Sequence, residues 1–165
     1  MAIRPSLLWK SMTPAARIAA AEAFWRDEES PEIQAQHVEV IVSLARRLKF
    51  RPKSIQSLPV EKRARYLSQM PDVSDAVATR ALIAYHFAEK RPLMGGFLDA
   101  LGIAHENGLI SDEQVSAPEA AKLAEAVTTL RKSFDPADAD LYLHTLVALD
   151  PETWGGLDPL LAPSK

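Results

Sequence analysis

The chain has 165 residues, no cysteine and a formal net charge of −3. The lack of cysteine excludes disulfides, thiolate nucleophiles, thiolate zinc sites and iron–sulfur clusters. An apolar fraction of 47% and a charged fraction of 25% are typical of a soluble globular protein. No apolar run approaches the ~20 residues of a membrane-spanning helix, and the first residues are too weakly apolar for a signal peptide. We therefore expect a cytoplasmic protein.

The composition favours helices. The chain holds 26 alanines and 20 leucines but only 9 valines and 8 isoleucines, and Ala and Leu lose little conformational freedom in a helix. The 12 prolines outnumber the 6 glycines, and several prolines directly follow a residue that can cap a helix. Pro is favoured at the first helical position, where a missing N–H costs nothing. The predicted fold class is all-α.

Capping residues predict where individual helices begin. A Ser, Thr or Asp followed by Pro satisfies an unpaired backbone N–H and fixes the first helical residue. Ser116 with Glu119 has the sequence of a capping box, and Ser111 with Gln114 is a weaker example. The predicted caps that are followed by Pro are Thr13, Ser30, Asp135 and Asp150.

Apolar residues at helical spacing follow these starts and predict about six main helices. The main helices are expected after Thr13 and over residues 30–49, 74–90, 92–101, 116–134 and 135–149. Short helical turns are expected near residues 5–11, 52–57, 111–115 and 151–154. Gly102 after Leu101 predicts a helix C-cap, and Asn107-Gly108 predicts a turn.

The expected architecture is a single compact bundle. No two strands are available to pair, so no β-sheet is expected, and the uneven spacing of the helix starts excludes a regular repeat solenoid. We predict one domain over residues 1–156 and a short Pro-rich tail over residues 157–165. The tail either packs against the body through Leu160 and Leu161 or is loose. The helical spacing of the apolar residues predicts that Leu98 and Leu130 are buried in the core.

Charge is unevenly distributed along the chain. Residues 1–45 carry a net charge of −2, residues 46–98 carry +7, and residues 99–165 carry −8. A positive middle and a negative C-terminal part favour a charge-complementary partner and also allow head-to-tail self-association.

The positive charge is concentrated within residues 46–65, where only Glu61 interrupts it. Such a stretch is either a contact surface, for phosphates or for an acidic partner, or a solvated face neutralised by the acidic C-terminal half of the same or another molecule. The candidate contact residues are Arg46, Arg47, Lys49, Arg51, Lys53, Lys62, Arg63 and Arg65.

A second candidate site lies around a turn. Gly95 and Gly96 fall inside a predicted helix, where each costs about 1 kcal/mol relative to Ala, so a close approach is expected there. His105 and Glu106 follow shortly afterwards. The two alternatives are tight helix packing and a small-molecule pocket that is also lined by Phe97 and Met94.

No catalytic or metal-binding motif is present. The sequence has no G-x-S-x-G, no phosphate-binding glycine loop and no H-E-x-x-H, so no catalytic residue, cofactor or metal is predicted. The nearest arrangements pair His86 with Glu89 and Asp140 with His144, each on one helical face.

Three functional hypotheses follow. The first is a non-enzymatic protein-interaction module with a protein partner or self-association and no membrane contact. The second is a nucleic-acid-binding protein that uses the 46–65 stretch. The third is a helical enzyme or small-ligand binder with its site near Gly95, Gly96 and His105.

Overall fold

A computed structural model describes residues 3–28 and 31–161 of the chain, and helices dominate it. The all-α class predicted from composition is confirmed. The structure divides into two compact units, one from Pro5 to Tyr85 and one from His86 onward that also includes Ile3 and Arg4. None of the described helices has the length and apolar character needed to cross a membrane. The predicted domain boundary at residue 156 stays a prediction.

The N-terminal unit is built from helices, most of which begin at a proline. Its helices are α1 (Pro5–Ser11), α2 (Pro14–Arg26), α3 (Pro31–Leu48), α4 (Pro52–Gln56), α5 (Val60–Ser68) and α6 (Asp75–Glu89), and α6 continues into the C-terminal unit. The backbone N–H of Ala16 donates to Thr13 Oγ1 at 3.1 Å, which confirms the predicted cap of α2. The predicted cap at Ser30 lies outside the described residues.

Aromatic packing between α2 and α3 supports the N-terminal core. The His37 ring lies 4.7 Å from the Phe24 ring and 5.1 Å from the Trp25 ring, measured between centroids. Nε2 of His37 is 2.7 Å from the carbonyl oxygen of Phe24, so the imidazole donates to the backbone of α2. α2 packs against α5, and α3 packs against α4 and α5.

The C-terminal unit combines helices with one hairpin. Its elements are α7 (Arg91–Leu101), β1 (His105–Glu106), β2 (Leu109–Ile110), α8 (Ala120–Ser133), α9 (Pro136–Leu149), α10 (Pro151–Trp154) and α11 (Asp158–Leu161). The predicted caps at Asp135 and Asp150 are confirmed, because both side chains accept backbone N–H groups of the following turn. Gly102 ends α7 in the left-handed conformation, as predicted.

One apolar cluster forms the core of this unit. Leu98 and Leu130 are buried in it, which confirms the prediction that their helices turn these residues toward the core. Leu160 and Leu161 pack against the same cluster, while residues 162–165 of the predicted tail lie outside the described part of the chain. The aromatic side chains of the cluster are Phe97, Tyr142 and Trp154.

The expectation of no β-sheet was wrong at one place. β1 and β2 pair in antiparallel fashion, with His105 opposite Ile110 and Glu106 opposite Leu109. Asn107 and Gly108 both have positive φ, at 52° and 90°. Two consecutive residues with positive φ form the kind of two-residue turn whose twist matches the twist of the strands that it joins.

Two predicted helix starts were also wrong. Residues 111–115 are not helical, because the backbone N–H of Ser111 donates to the carbonyl of Ala104 and extends the hairpin instead. α8 begins at Ala120 rather than just after Ser116. Pro118 disfavours the helical conformation of Ala117 before it, so the capping-box sequence cannot open the helix there.

The count of six main helices is not confirmed, because α5 was missed. α5 follows Pro59 without a side-chain cap, so no start signal marks it. Its buried residues are Ala64, Leu67 and Ser68, and the remainder is mostly charged. A short helix with few apolar residues gives a weak periodic signal.

Candidate functional site

The cationic residues of 46–65 lie on three consecutive helices of the N-terminal unit and on the link between the first two. Arg46 and Arg47 occupy the last turn of α3, where positive charge also complements the helix dipole. Lys49 follows with φ of +58°, and the N–H of Phe50 donates to the carbonyl of Ala45 at 3.0 Å. This pattern of a left-handed residue and a six-to-one hydrogen bond closes the helix. The chain then turns into α4, which carries Lys53.

Seven of the eight predicted contact residues are exposed and together form what we call the cationic segment. Among residues 3–28 and 31–161, no carboxylate forms an ion pair with any of them. Each of these cations therefore lacks a carboxylate within ion-pair distance in the described part of the chain. The cationic segment consists of Arg46, Arg47, Lys49, Arg51, Lys53, Lys62 and Arg65.

Arg63 has a different environment from the other seven. Its guanidinium carbon lies 4.9 Å from the centroid of the Trp25 ring, and the side chain is half-buried. The Nε atom is buried without a hydrogen-bond partner among the described residues. Arg63 therefore packs α5 onto α2 through a cation–π contact and does not belong to the exposed set.

An exposed apolar stripe runs along α3 toward the cationic segment. Val38, Val42 and Arg46 are spaced four residues apart, so they share one face of the helix. Val38 is 57% exposed and Val42 is 37% exposed. Phe50, just beyond the end of α3, is 45% exposed. Sequence reasoning concentrated on the buried face of α3 and missed this stripe, although the four-residue spacing is visible in the sequence.

Gly95 and His105, two residues of the second candidate site, are brought together. A β-carbon added at Gly95 would lie 3.1 Å from Cε1 of His105, so the imidazole fills the space beside the glycine. The close approach expected at Gly95 is made by this ring. The backbone N–H of Gly108 donates to Nδ1 of His105 at 3.1 Å, and Nε2 therefore carries the proton and donates to Asp99 Oδ1 at 2.7 Å.

The other predicted residues of that site point elsewhere. Gly96 faces the ring of Phe134, with 3.4 Å from an added β-carbon to Cε2. Phe97 is buried against Tyr142 and Trp154, with centroid distances of 5.9 Å to each ring. Glu106 is exposed. The five residues thus line no common space, and both imidazole nitrogens of His105 are already bonded within the protein.

Asp140, which the sequence pairs with His144, is bound by an arginine of α8. Arg131 donates to Asp140 at 2.9 Å through Nε and to the carbonyl of Leu160 at 3.2 Å, which ties α8, α9 and α11 together. Burial lowers the pKa of His144 beside this cluster, although the charge of Asp140 opposes the effect. In the ranges that the structure describes, no three His, Asp or Glu side chains converge as metal ligands do.

One open groove in the C-terminal unit was not predicted. It has a volume of about 530 Å³ and lies between the end of α7 and the side of α8. Its polar lining residues are Asp99, Lys122, Glu125 and Thr129. These carry both signs of charge and are set on an open surface, so the groove specifies no particular ligand.

The overall geometry therefore leaves the cationic segment with its apolar stripe as the strongest candidate site. Comparison of the chain with protein-family models, with curated proteins and with solved structures finds no match.

Proposed function

We propose that this chain is a non-catalytic protein-interaction module that binds an acidic protein surface through the cationic segment and the stripe Val38–Val42. The observation that carries the proposal is the set of seven exposed cations that lack carboxylate partners in the described chain. Uncompensated charge of one sign steers an oppositely charged partner and raises its association rate.

The apolar stripe favours a protein partner over a nucleic acid. Protein interfaces combine a desolvated apolar centre with Arg-rich surroundings. Two aliphatic side chains in line with Arg46 fit that pattern, whereas a phosphate backbone would gain nothing from valine. The net charge of −3 over the whole chain also disfavours a polyanion as the general partner.

Backbone conformation adds independent support at Lys49. A left-handed residue other than glycine costs roughly 1–2 kcal/mol, and glycine is the favoured residue at this helix end. The chain instead places a cation there. Strained backbone conformations are concentrated at functional positions, which is consistent with a role for the Lys49 charge in binding.

We propose no chemistry at His105. A general base needs a ring nitrogen that can reach a substrate proton. Nδ1 of His105 accepts from Gly108, and Nε2 donates to Asp99, so the ring positions the hairpin.

Fluorescence anisotropy with a labelled Glu-rich peptide that carries leucines at helical spacing tests the proposal. Arg51→Gln with Lys53→Gln is expected to weaken binding about tenfold at low salt, or about 1.4 kcal/mol. The matched control is Lys122→Gln with Lys132→Gln, which removes two exposed charges from α8 and should leave binding unchanged. Val38→Ser with Val42→Ser should weaken binding at low and high salt alike, because apolar contacts are not screened.

A labelled oligonucleotide of similar net charge serves as the competing probe. The proposal predicts that the peptide binds more tightly than the oligonucleotide and that only peptide binding depends on the two valines. Tighter binding of the oligonucleotide, with no effect of the valine changes, would contradict the proposal and support the nucleic-acid hypothesis.

A further inference from the structure

The hairpin of the C-terminal unit presents an acidic and apolar face to solvent. Glu106 and Leu109 are directly opposite each other in the ladder, so their side chains share one face. Leu109 is 55% exposed, and Glu106 is exposed beside it. Ser111 follows β2, and Asp112 and Glu113 after it are also exposed. The other face, with His105 and Ile110, is partly buried.

This hairpin is held in place by contacts on its inner side. His105 bonds to Asp99 on α7, as described above, and the guanidinium of Arg91 donates to the carbonyl of Asn107 at 2.9 Å. Gly108 is buried, and an added β-carbon there would lie 3.0 Å from Cβ of Met94. A protrusion fixed in this way loses little conformational entropy on binding, which favours its use as a contact.

The outer face of the hairpin is complementary to the site proposed above. It offers the exposed Leu109 beside the carboxylate of Glu106, and the exposed carboxylates of Asp112 and Glu113 follow within four residues of Leu109 along the chain. The site on α3 and α4 offers exposed valines among cations. Residues 99–165, which contain the hairpin, carry a net charge of −8, and residues 46–98, which contain the cationic segment, carry +7.

We infer that the acidic partner is a second copy of this chain, whose hairpin face around Leu109 docks on the cationic segment and the Val38–Val42 stripe. This inference rests on the proposed function and names its partner. The two contacting surfaces are different, so the interface is heterologous. Each bound copy then leaves one cationic segment and one hairpin free, and assembly continues into a chain or closes into a ring.

Sedimentation velocity of the full chain tests the inference. At about 0.01 M salt, where the Debye length is about 30 Å, the weight-average mass should rise with concentration beyond twice the monomer mass. At about 1 M salt, with a Debye length of about 3 Å, it should fall toward the monomer mass of 18.1 kDa. The control pair Lys122→Gln with Lys132→Gln should assemble like the unmodified chain.

Two variants each remove one side of the interface. The segment variant carries Val42→Ser, Arg46→Gln, Arg51→Gln and Lys53→Gln, and the hairpin variant carries Glu106→Gln, Leu109→Ser and Glu113→Gln. All these side chains are exposed, so both variants should keep the circular dichroism and melting behaviour of the parent. Each variant alone should be monomeric at low salt. An equimolar mixture should form a complex of two subunits and stop there, because each variant retains the side that the other lacks.

The outcomes separate this inference from the proposed function. A monomeric parent chain at both salt concentrations would overturn the inference, and continued binding of the Glu-rich peptide would then leave the proposed function standing. Failure of both peptide binding and assembly would overturn both. Assembly that persists in either variant, or a mixture of variants that stays monomeric, would show that these two surfaces do not meet.

Discussion

The imidazole of His105 occupies the space in which a side chain at Gly95 would otherwise lie. The ring is held by Asp99 on one side and by the N–H of Gly108 on the other. It therefore cannot move aside without breaking a hydrogen bond. The hairpin is pinned onto α7 at this point, and the lack of a side chain at Gly95 lets the ring approach the helix backbone.

Gly95→Ala and Gly96→Ala are expected to affect stability differently. Both change a glycine in the middle of α7, and Ala is favoured there by about 1 kcal/mol. At Gly96 the new methyl group meets Phe134 at an ordinary contact distance, so we expect a gain of about 1 kcal/mol. At Gly95 it lies 3.1 Å from the held ring, so the gain should vanish or become a loss. Chemical denaturation measures both, and equal effects would contradict the account.

Lys49→Gly should raise stability and weaken binding together. It relieves the left-handed conformation of Lys49, which should increase the free energy of unfolding by about 1 kcal/mol. It also removes one charge of the cationic segment, so affinity for the Glu-rich peptide should fall. Lys49→Ala is the control, since it removes the charge but keeps the strain. Urea denaturation and anisotropy on the same samples measure stability and affinity. A Lys49→Gly variant no more stable than Lys49→Ala would disprove the expectation.

Stability should depend on pH through His144. Burial lowers the pKa of this imidazole in the folded chain. The folded state then binds fewer protons than the unfolded state, so the free energy of unfolding should decrease as pH falls through the unfolded value of about 6.5. The loss should level off once the pH is below the folded pKa. His144→Gln should flatten this part of the profile, measured by urea denaturation between about pH 8 and about pH 5. An unchanged profile would exclude His144 as the cause.

The buried leucines of the C-terminal core should be costly to truncate. Leu98 and Leu130 are 0% and 2% exposed, so replacement of either by Ala should reduce the free energy of unfolding by about 2–5 kcal/mol. Leu149 is 44% exposed on α9, so the control Leu149→Ala should reduce the free energy of unfolding by less than about 1 kcal/mol. A loss below about 1 kcal/mol at both Leu98 and Leu130 would show that their burial contributes little.

Local signals with a direct physical cause predicted much of the helical structure. The caps at Thr13, Asp135 and Asp150 were correct because a side-chain oxygen next to proline satisfies backbone groups within a few residues. The Gly102 cap was correct for a similar local reason. These features depend on neighbours in sequence and need no knowledge of tertiary packing.

The errors arose where one local rule was outweighed by another. Asn107-Gly108 was identified as a turn, but the short strands beside it were not, because two residues per strand give no alternating pattern. Asn-Gly is itself a strong hairpin signal, so the hairpin could have been predicted from the sequence. At Ser116 the effect of Pro118 on Ala117 should have outweighed the capping box.

The candidate site was predictable in charge but not in geometry. The cationic residues were all identified from the sequence, yet the packing of Arg63 on Trp25 depends on contact between α2 and α5. The approach of His105 to Gly95 likewise depends on how the hairpin folds back on α7. Such contacts join residues that are distant in sequence, and one-dimensional patterns do not encode them.

Chemical-shift mapping tests the central claim most directly. The full chain, labelled with ¹⁵N, would be titrated with the unlabelled Glu-rich peptide at low salt. We predict that the largest amide shifts lie within residues 38–53 and become smaller when salt is added. Largest shifts around His105 or along the groove between α7 and α8, or no shifts at all, would contradict it.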